Sequence, residues 1–393
     1  MINRLEKTQR VESIDLLRGV VMVIMALDHT RHFFHEGAMN YNISDFNTTN
    51  SALFFTRFIT HYCAPIFVFL AGTSAYLYGR NKPKKTLFNY LFSRGIWLIF
   101  LEIFLNNFLW RFNISYKFIV IQVLWAIGLS MICLSFLIYF RYRVMFWIGL
   151  LIVVGHNLLD FITFEGNTLK SIAWYLLHQR HKFTLCEGHV VGVFYPVLPW
   201  IGVIVLGYCF GKFYEPGFDQ IKRKKYLLRI GISSILLFIL LRIFNTYGDL
   251  VPWAYQKNNI LTFLSFMDVT KYPPSFMYLL ITLGPAFIFL YATEHSRNKA
   301  SQFFIVFGSV PLFYYFLHML FIHLAAVLVF AIATNHKTDA FEAFSTAHLN
   351  GYGFSLPIVY VVWVVIVLML YPWCNWYMKL KKKNKASKIL SYL

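Results

Sequence analysis

Five consecutive residues near the end of the first apolar segment, Asp28-His29-Thr30-Arg31-His32, include a carboxylate, two imidazoles and a guanidinium. An ionisable side chain at membrane depth costs about 2.5 to 3.5 kcal/mol on insertion scales, so such groups are usually retained for a function. Histidine can remove a proton from a nucleophile near neutral pH, and arginine can hold an anionic or carbonyl oxygen. The sequence therefore predicts a functional site at these residues.

Similar side chains occur in other apolar segments. Asp28, His32 and His35 follow the i, i+4, i+7 spacing of one helix face, and Arg57 and His61 are again four residues apart. The other members of the group are Glu102, His156, Asp160, His318 and His323. We predict that a helix bundle gathers these groups around a water-accessible cavity in the outer half of the membrane.

Helix packing is the alternative explanation for these polar groups. Asp28 could neutralise Arg31 or His32, and His156 could pair with Asp160, without any chemistry. Taken singly, His318 and His323 in their aromatic-rich helix fit hydrogen-bonded packing histidines better than catalysts.

A smaller set of polar residues is predicted to lie toward the cytoplasmic side of the membrane. Asp15, Arg18 and Arg94 occur there, beside the small residues of segment 71–74. Arg18 and Arg94 could hold the phosphates of a cofactor, or they could be anchors that extend to the membrane surface.

Membrane-spanning helices are the elements that must position these groups. Of 393 residues, 58% are hydrophobic and only 13% charged, too little polar surface for a soluble globule. Runs of about 17 to 25 apolar residues predict an all-α, polytopic bundle of about ten spanning helices in a single domain, 1–393. The predicted spans are 14–34, 53–79, 87–108, 118–139, 143–163, 190–211, 227–246, 273–293, 303–332 and 355–378. Pro65 and Pro311 predict kinks in the second and ninth spans.

The Lys and Arg residues alternate along the chain as the positive-inside rule requires. With residues 1–12 in the cytoplasm, basic clusters recur at every second loop and in the tail 379–393, so both termini are predicted to be cytoplasmic. Segments 36–52 and 338–353 contain no Lys or Arg. The net charge of +19 therefore reflects orientation and contact with anionic membrane lipid, and we predict no nucleic-acid partner.

The longest outer connections, 164–189 and 247–272, contain Trp and Tyr residues that suit short interfacial helices, and they could equally cap a cavity. No metal site is predicted, because the histidines lack a local ligand motif such as His-Glu-x-x-His. The sequence does not determine the oligomeric state, and a homodimer is compatible with it.

Several segments resemble known transmembrane acyltransferases. Asp15, the pair Leu17-Arg18 and a histidine eleven residues later, His29, are similar to the opening of acyltransferase type 3 proteins. The closer resemblance is to bacterial members of the heparan-alpha-glucosaminide N-acetyltransferase-like family. It is carried by segments 27–31, 56–65, 70–74, 195–200, 272–275 and 310–318, across nearly the whole chain.

This resemblance implies an acyltransferase of the bacterial inner membrane. The donor would be acetyl-CoA or another acyl-CoA on the cytoplasmic side, near Arg18 and Arg94, and the acceptor an amine or hydroxyl of an extracytoplasmic sugar or glycan. His29 is the expected general base, oriented by Asp28 or His32, with Arg31 or Arg57 stabilising the oxyanion. His35, His61 and His318 are expected to help bind the acceptor.

Two alternatives concern the mechanism. In the lysosomal enzyme of the family an Asn matches His29, and the catalytic histidine corresponds to a position nearer His32 or His35. A histidine could also accept the acyl group itself before passing it on. A proton-coupled transporter is the alternative function, because clustered His, Asp and Arg side chains also suit a proton relay.

Overall fold

The computed structural model describes residues 11–36, 45–46, 49–296, 298–335, 339–346, 349 and 352–384, and these form a mostly helical bundle. Most of the predicted N-terminal segment 1–12, and the tail beyond residue 384, lie outside the described residues. The helices are α1 (Glu12–Phe34), α2 (Ser51–Thr60), α3 (Cys63–Gly79), α4 (Lys84–Leu101), α5 (Asn107–Arg111), α6 (Val123–Leu137), α7 (Tyr142–Gly155), α8 (Leu169–Leu177), α9 (Leu198–Phe210), α10 (Gln220–Phe244), α11 (Asn259–Met267), α12 (Phe276–Thr293), α13 (Lys299–Ser309), α14 (Pro311–Ala333), α15 (Ala340–Thr346) and α16 (Leu356–Lys383).

Seven helical segments of the described chain are long and apolar enough to cross a membrane. They are Ser51–Gly79, Lys84–Arg111, Tyr142–Leu159, Gln220–Phe244, Phe276–Thr293, Pro311–Ala333 and Leu356–Lys383. Segments Val123–Leu137 and Leu198–Tyr214 are apolar but shorter. Each of the ten predicted spans contains helix, whereas the number of spans and the side on which the termini lie remain predictions.

The all-α expectation requires a correction, because the chain also forms a three-stranded sheet. Strands β1 (Phe118–Ile121), β2 (His181–Cys186) and β3 (His189–Val193) lie in the order β1-β3-β2, with β3 parallel to β1 and antiparallel to β2. The predicted spans 118–139 and 190–211 therefore began too early, since their helices start at Val123 and Leu198. Short apolar runs such as β1 cannot be told from the start of a helix by periodicity alone.

The predicted interruption of the second span lies just before Pro65. Helix α2 ends at Thr60 and α3 starts at Cys63, with Pro65 in the first turn of α3. A proline has no N–H to donate to the carbonyl four residues earlier, here that of His61. That carbonyl accepts a hydrogen bond from the Tyr278 hydroxyl at 2.7 Å instead, which ties α12 to the break.

The ninth predicted span is divided in the same way. Pro311 is the first residue of α14, and Val310 separates that helix from α13. The break at Val310 lies eight residues before His318.

Helix α1 lies inside the bundle, and most of its residues are buried, including Asp15, His29 and Arg31. Two pairs of glycines allow close helix crossings, one between α1 and α13 and one between α3 and α9. A Cβ on Gly19 would lie 1.8 Å from the Phe304 carbonyl oxygen of α13, and one on Gly308 would lie 1.8 Å from the carbonyl oxygen of Asp15. Helices α3 and α9 approach in the same way at Gly72 and Gly207. Small residues at such crossings let backbones touch, which is a common basis of packing between membrane helices.

Candidate active site

A cavity of about 570 Å³ lies at the end of the bundle where α1 terminates, and we call it the His29 cavity. Of the residues predicted from sequence to form the site, it is lined by Asp28, His29, Arg31, His32 and Arg57. Other lining residues come from α5, β1 and the irregular segments before β2 and α12. The sheet is therefore part of the wall that encloses the end of α1.

The side chain of His29 contacts a second histidine from a distant part of the chain. Its Nδ1 lies 2.7 Å from Nε2 of His318, and Nδ1 of His318 lies 2.7 Å from the Tyr314 carbonyl oxygen. His318 is fully buried, and His29 is 8% exposed.

These two contacts determine which nitrogens carry protons when both rings are neutral. The Tyr314 carbonyl can only accept, so Nδ1 of His318 carries the proton and its Nε2 is an acceptor. Nδ1 of His29 must then donate to His318, which leaves Nε2 of His29 unprotonated. A base held in one tautomer by a buried partner is the arrangement used by catalytic histidines.

Asp28 and His32 have partners other than His29. Asp28 forms an ion pair with Arg31, with Oδ1 2.9 Å from Nη2, and His32 packs edge-on against Trp110 with ring centroids 4.9 Å apart. The expectation that one of them orients His29 is therefore not met, because His318 makes that contact. His318 in turn does not line the cavity but lies behind His29. Its position therefore does not favour the substrate-binding role predicted for it.

Two other predicted acceptor-binding histidines do not line the His29 cavity. His61 is buried at the α2–α3 break, where its ring packs near Phe58 and Tyr278. His35 follows the last residue of α1, and its backbone pairs with that of Phe354.

The predicted gathering of all the polar groups in one cavity is also incomplete. Asp160 pairs with His178 at 2.8 Å and accepts a bond from Asn157, while Nε2 of His156 lies 2.8 Å from the Pro274 carbonyl. Glu102 accepts bonds from Asn106 and from the backbone N–H groups of Leu124 and Trp125. His323 lies between the rings of Phe33 and Phe112, which agrees with its interpretation as a packing histidine.

Sequence reasoning missed several residues of the cavity. Arg111, Arg180 and Lys271 add cations to it, and Trp110 and Tyr315 add aromatic walls. Arg180 and Lys271 lie in irregular segments, where no helical spacing indicates a shared face. One signal was available, because both are basic residues in connections that the positive-inside rule assigns to the outer side.

A second cavity, of about 910 Å³, lies at the end of the bundle where α1 begins, and we call it the Arg18 cavity. Among the described residues, the charged ones that line it are all basic: Arg18, Arg94, Lys381 and Lys382. Arg18 also links three helices, because its guanidinium donates to Asp15, to the Gly308 carbonyl and to Ser74. Arg94 lies 5.6 Å from the centre of the Tyr90 ring.

The two cavities adjoin. Met25, Phe67, Val123 and Tyr315 line both of them, and Tyr315 is also an edge-on neighbour of His29, with ring centroids 6.1 Å apart. Arg18 and His29 are eleven residues apart on α1, or about 17 Å at the helical rise of ~1.5 Å per residue. The histidine pair therefore lies next to the boundary between the cavities.

The fold and the site define a polytopic membrane protein that holds a histidine pair beside two adjoining basic cavities. The family model described as heparan-alpha-glucosaminide N-acetyltransferase, catalytic, matches residues 10–241, more than half of the chain. The protein belongs to this family and is a membrane acyltransferase by class, as the sequence resemblance implied. The match supports acyl transfer and gives no support to the transporter alternative. No curated protein matches the chain.

Proposed function

We propose that this protein transfers an acetyl group from acetyl-CoA, bound in the Arg18 cavity, to an amine or hydroxyl of a sugar bound in the His29 cavity. The observation that carries the proposal is the position of the His29–His318 pair at the boundary of the two cavities. A base at this boundary can reach an acceptor on one side while a thioester approaches from the other.

His29 is the general base in this proposal. Its Nε2 removes the proton from the acceptor as the acceptor nitrogen or oxygen bonds to the thioester carbonyl carbon. The tetrahedral oxyanion then collapses, the C–S bond breaks, and the CoA thiolate leaves and takes up the proton held by His29. A well-placed general base contributes about 10²- to 10⁴-fold in rate.

The oxyanion needs a positive partner that faces the reacting carbonyl. Arg57 is the better candidate of the two predicted from sequence, because the described residues provide no carboxylate partner for it, whereas Arg31 is held by Asp28. Both line the His29 cavity.

The basic lining of the Arg18 cavity suits the phosphates of the donor. Arg94 with Lys381 and Lys382 would bind them, while Arg18 is partly committed to holding α1, α3 and α13 together. The cavity volume is within the range of about 300 to 1,000 Å³ typical of small-molecule sites.

Acetyl transfer from radiolabelled acetyl-CoA to a panel of sugars and amino sugars, measured with the purified protein, tests the proposal. We expect His29→Ala to lower turnover by about 10²-fold or more, because the base is lost. His295→Ala is the matched control, since His295 is exposed and lines neither cavity.

Unchanged turnover in His29→Ala would reject His29 as the base. If the loss appeared instead in His32→Ala or His35→Ala, the alternative alignment of the catalytic histidine would be correct. Mass spectrometry of the protein after a pulse of acetyl-CoA alone would detect an acetylated histidine and so separate direct transfer from the two-step route.

A further inference from the structure

The residues that line both the His29 cavity and the Arg18 cavity form the boundary between them. They are Met25 of α1, Phe67 of α3, Val123 of α6 and Tyr315 of α14. In the proposed reaction the acyl group meets the acceptor at this boundary, because donor and acceptor bind on its two sides. A boundary side chain that cannot move aside would therefore limit the size of the acyl group.

The ring of Tyr315 is fixed in this boundary. It packs edge-on against both rings of the histidine pair, with centroids 6.1 Å from His29 and 5.7 Å from His318. At its far end the hydroxyl lies 3.0 Å from Oδ1 of Asn106. Rotation of the ring would break this hydrogen bond and both ring contacts, whereas a flexible side chain such as Met25 can change its shape to fit a ligand.

A buried carboxylate determines which way the amide of Asn106 faces. Oε1 of Glu102 lies 2.8 Å from Nδ2 of Asn106, and Oε2 accepts from the backbone N–H groups of Leu124 and Trp125 at 2.9 and 3.3 Å. A carboxylate only accepts hydrogen bonds, so the amide nitrogen of Asn106 faces it and the amide oxygen faces Tyr315. The Tyr315 hydroxyl is therefore the donor to Asn106.

Glu102 also holds a second side of the boundary. Its bonds to Leu124 and Trp125 cap the first turn of α6, which begins at the boundary residue Val123. A carboxylate is favourable there, because a helix N-terminus has free N–H groups and a positive partial charge. Glu102 and Asn106 are the ends of a single π-helical turn between α4 and α5, a feature that is frequent at functional sites. Both side chains are fully buried and line neither cavity, so they support the boundary from behind.

We infer that Tyr315, held by Asn106 and Glu102, sets an upper limit on the length of the acyl group that the protein transfers. The inference rests on the proposed function, since it concerns the acyl group that passes from donor to acceptor. Tyr315 is then a specificity-determining residue, and Asn106 and Glu102 are positioning residues that act through its ring. In an apolar site one additional methylene changes kcat/KM by about 10- to 200-fold.

The first test compares acetyl-, propionyl- and butyryl-CoA as donors to one acceptor. For the unmodified protein we expect kcat/KM to fall by about 10- to 200-fold with the first added methylene and further with the second. Tyr315→Ala should raise the ratio of butyryl to acetyl transfer by about 10-fold or more, because loss of the ring opens the boundary. The ratio is the decisive quantity, since damage to the fold or to the histidine pair lowers transfer from all three donors alike.

The second test keeps the ring and removes its anchor. Tyr315→Phe and Asn106→Leu each delete the hydrogen bond at the hydroxyl, and both should raise the same ratio by about 2- to 10-fold, the range for one neutral hydrogen bond. Tyr142→Phe is the matched control. It deletes a bond of 2.8 Å from a tyrosine hydroxyl to the Cys209 carbonyl, outside both cavities, and should leave the ratio unchanged.

Equilibrium binding of the same thioesters separates this inference from the proposed function. If the unmodified protein transfers no acyl group but binds acetyl-CoA more tightly than butyryl-CoA, and Tyr315→Ala removes that difference, the limit on length stands and the proposed function fails. Equal use of the three donors by the unmodified protein would overturn the inference, as would an unchanged ratio in folded Tyr315→Ala. Should Tyr315→Ala fail to fold, an unchanged ratio in both Tyr315→Phe and Asn106→Leu would overturn it.

Discussion

At the scale of single residues, the side chain behind His29 determines its chemistry. A neutral imidazole in water has two tautomers, and only one of them presents Nε2 as a base. The contact with His318, itself fixed by the Tyr314 carbonyl, selects that tautomer and also fixes the plane of the ring. In the proposed reaction, His318 is therefore a positioning residue that acts through His29.

His318→Ala should lower kcat by about 10²-fold, because a base displaced by about 1 Å loses that much. His318→Gln should recover part of the rate, since its amide oxygen can accept the same proton from Nδ1 of His29. Acetyl transfer at saturating substrates and the pH profile of kcat are the measurements. A merely structural role would give equal losses in both variants, in proportion to their loss of folded protein.

At the scale of elements, helix crossings set the distance between the groups that meet at the site. Helix α1 contributes both Arg18 and His29, and its crossing with α13 occurs at Gly19 and Gly308, where the backbones touch. Helix α14 begins directly after α13, so this crossing also determines where His318 lies relative to His29.

Gly19→Ala should destabilise the protein by about 1 to 3 kcal/mol or more, the usual cost of overpacking, because the added methyl would meet a backbone oxygen that cannot move aside. Thermal unfolding in detergent measures the shift. Gly155→Ala is the matched control, since a Cβ at Gly155 meets nothing within 4 Å and should leave the unfolding temperature nearly unchanged. Equal stability of the two variants would contradict the close crossing.

At this scale, the sequence predicted the helices and the site residues that they carry. It did not predict the contacts between distant segments. Helical spacing and the cost of buried charge indicated Asp28, His29, Arg31, His32 and Arg57, and proline chemistry indicated both helix breaks. Local patterns carry no information on the contact of His29 with His318, 289 residues away along the chain. The strands were missed because they need partners from elsewhere, and the positions of Arg180 and Lys271 at the cavity wall depend on how irregular segments fold.

At the scale of the whole molecule, the two cavities lie at opposite ends of α1 and differ in what surrounds them. Lys381 and Lys382, at the end of α16, line the Arg18 cavity, while the sheet and the segment with Lys271 enclose the His29 cavity. The distribution of basic residues predicts the first in the cytoplasmic half and the second in the outer half.

Labelling of intact cells with a membrane-impermeant maleimide tests this orientation. Cys186 on β2 is exposed, and we expect it to be labelled from outside. In a Cys186→Ser background, Lys383→Cys at the exposed end of α16 should react only after the cells are permeabilised. The reverse pattern would invert the orientation and exchange the sides assigned to donor and acceptor.

The shared lining of the cavities has a further consequence. Met25, Phe67, Val123 and Tyr315 line both cavities, and their side chains are mainly apolar where the cavities meet. A hydrated ion would have to shed its water to pass such a constriction, whereas an uncharged two-carbon group has little water to lose. In the proposed orientation, this apolar boundary would allow acyl transfer between the two cavities while it opposes the passage of ions between them.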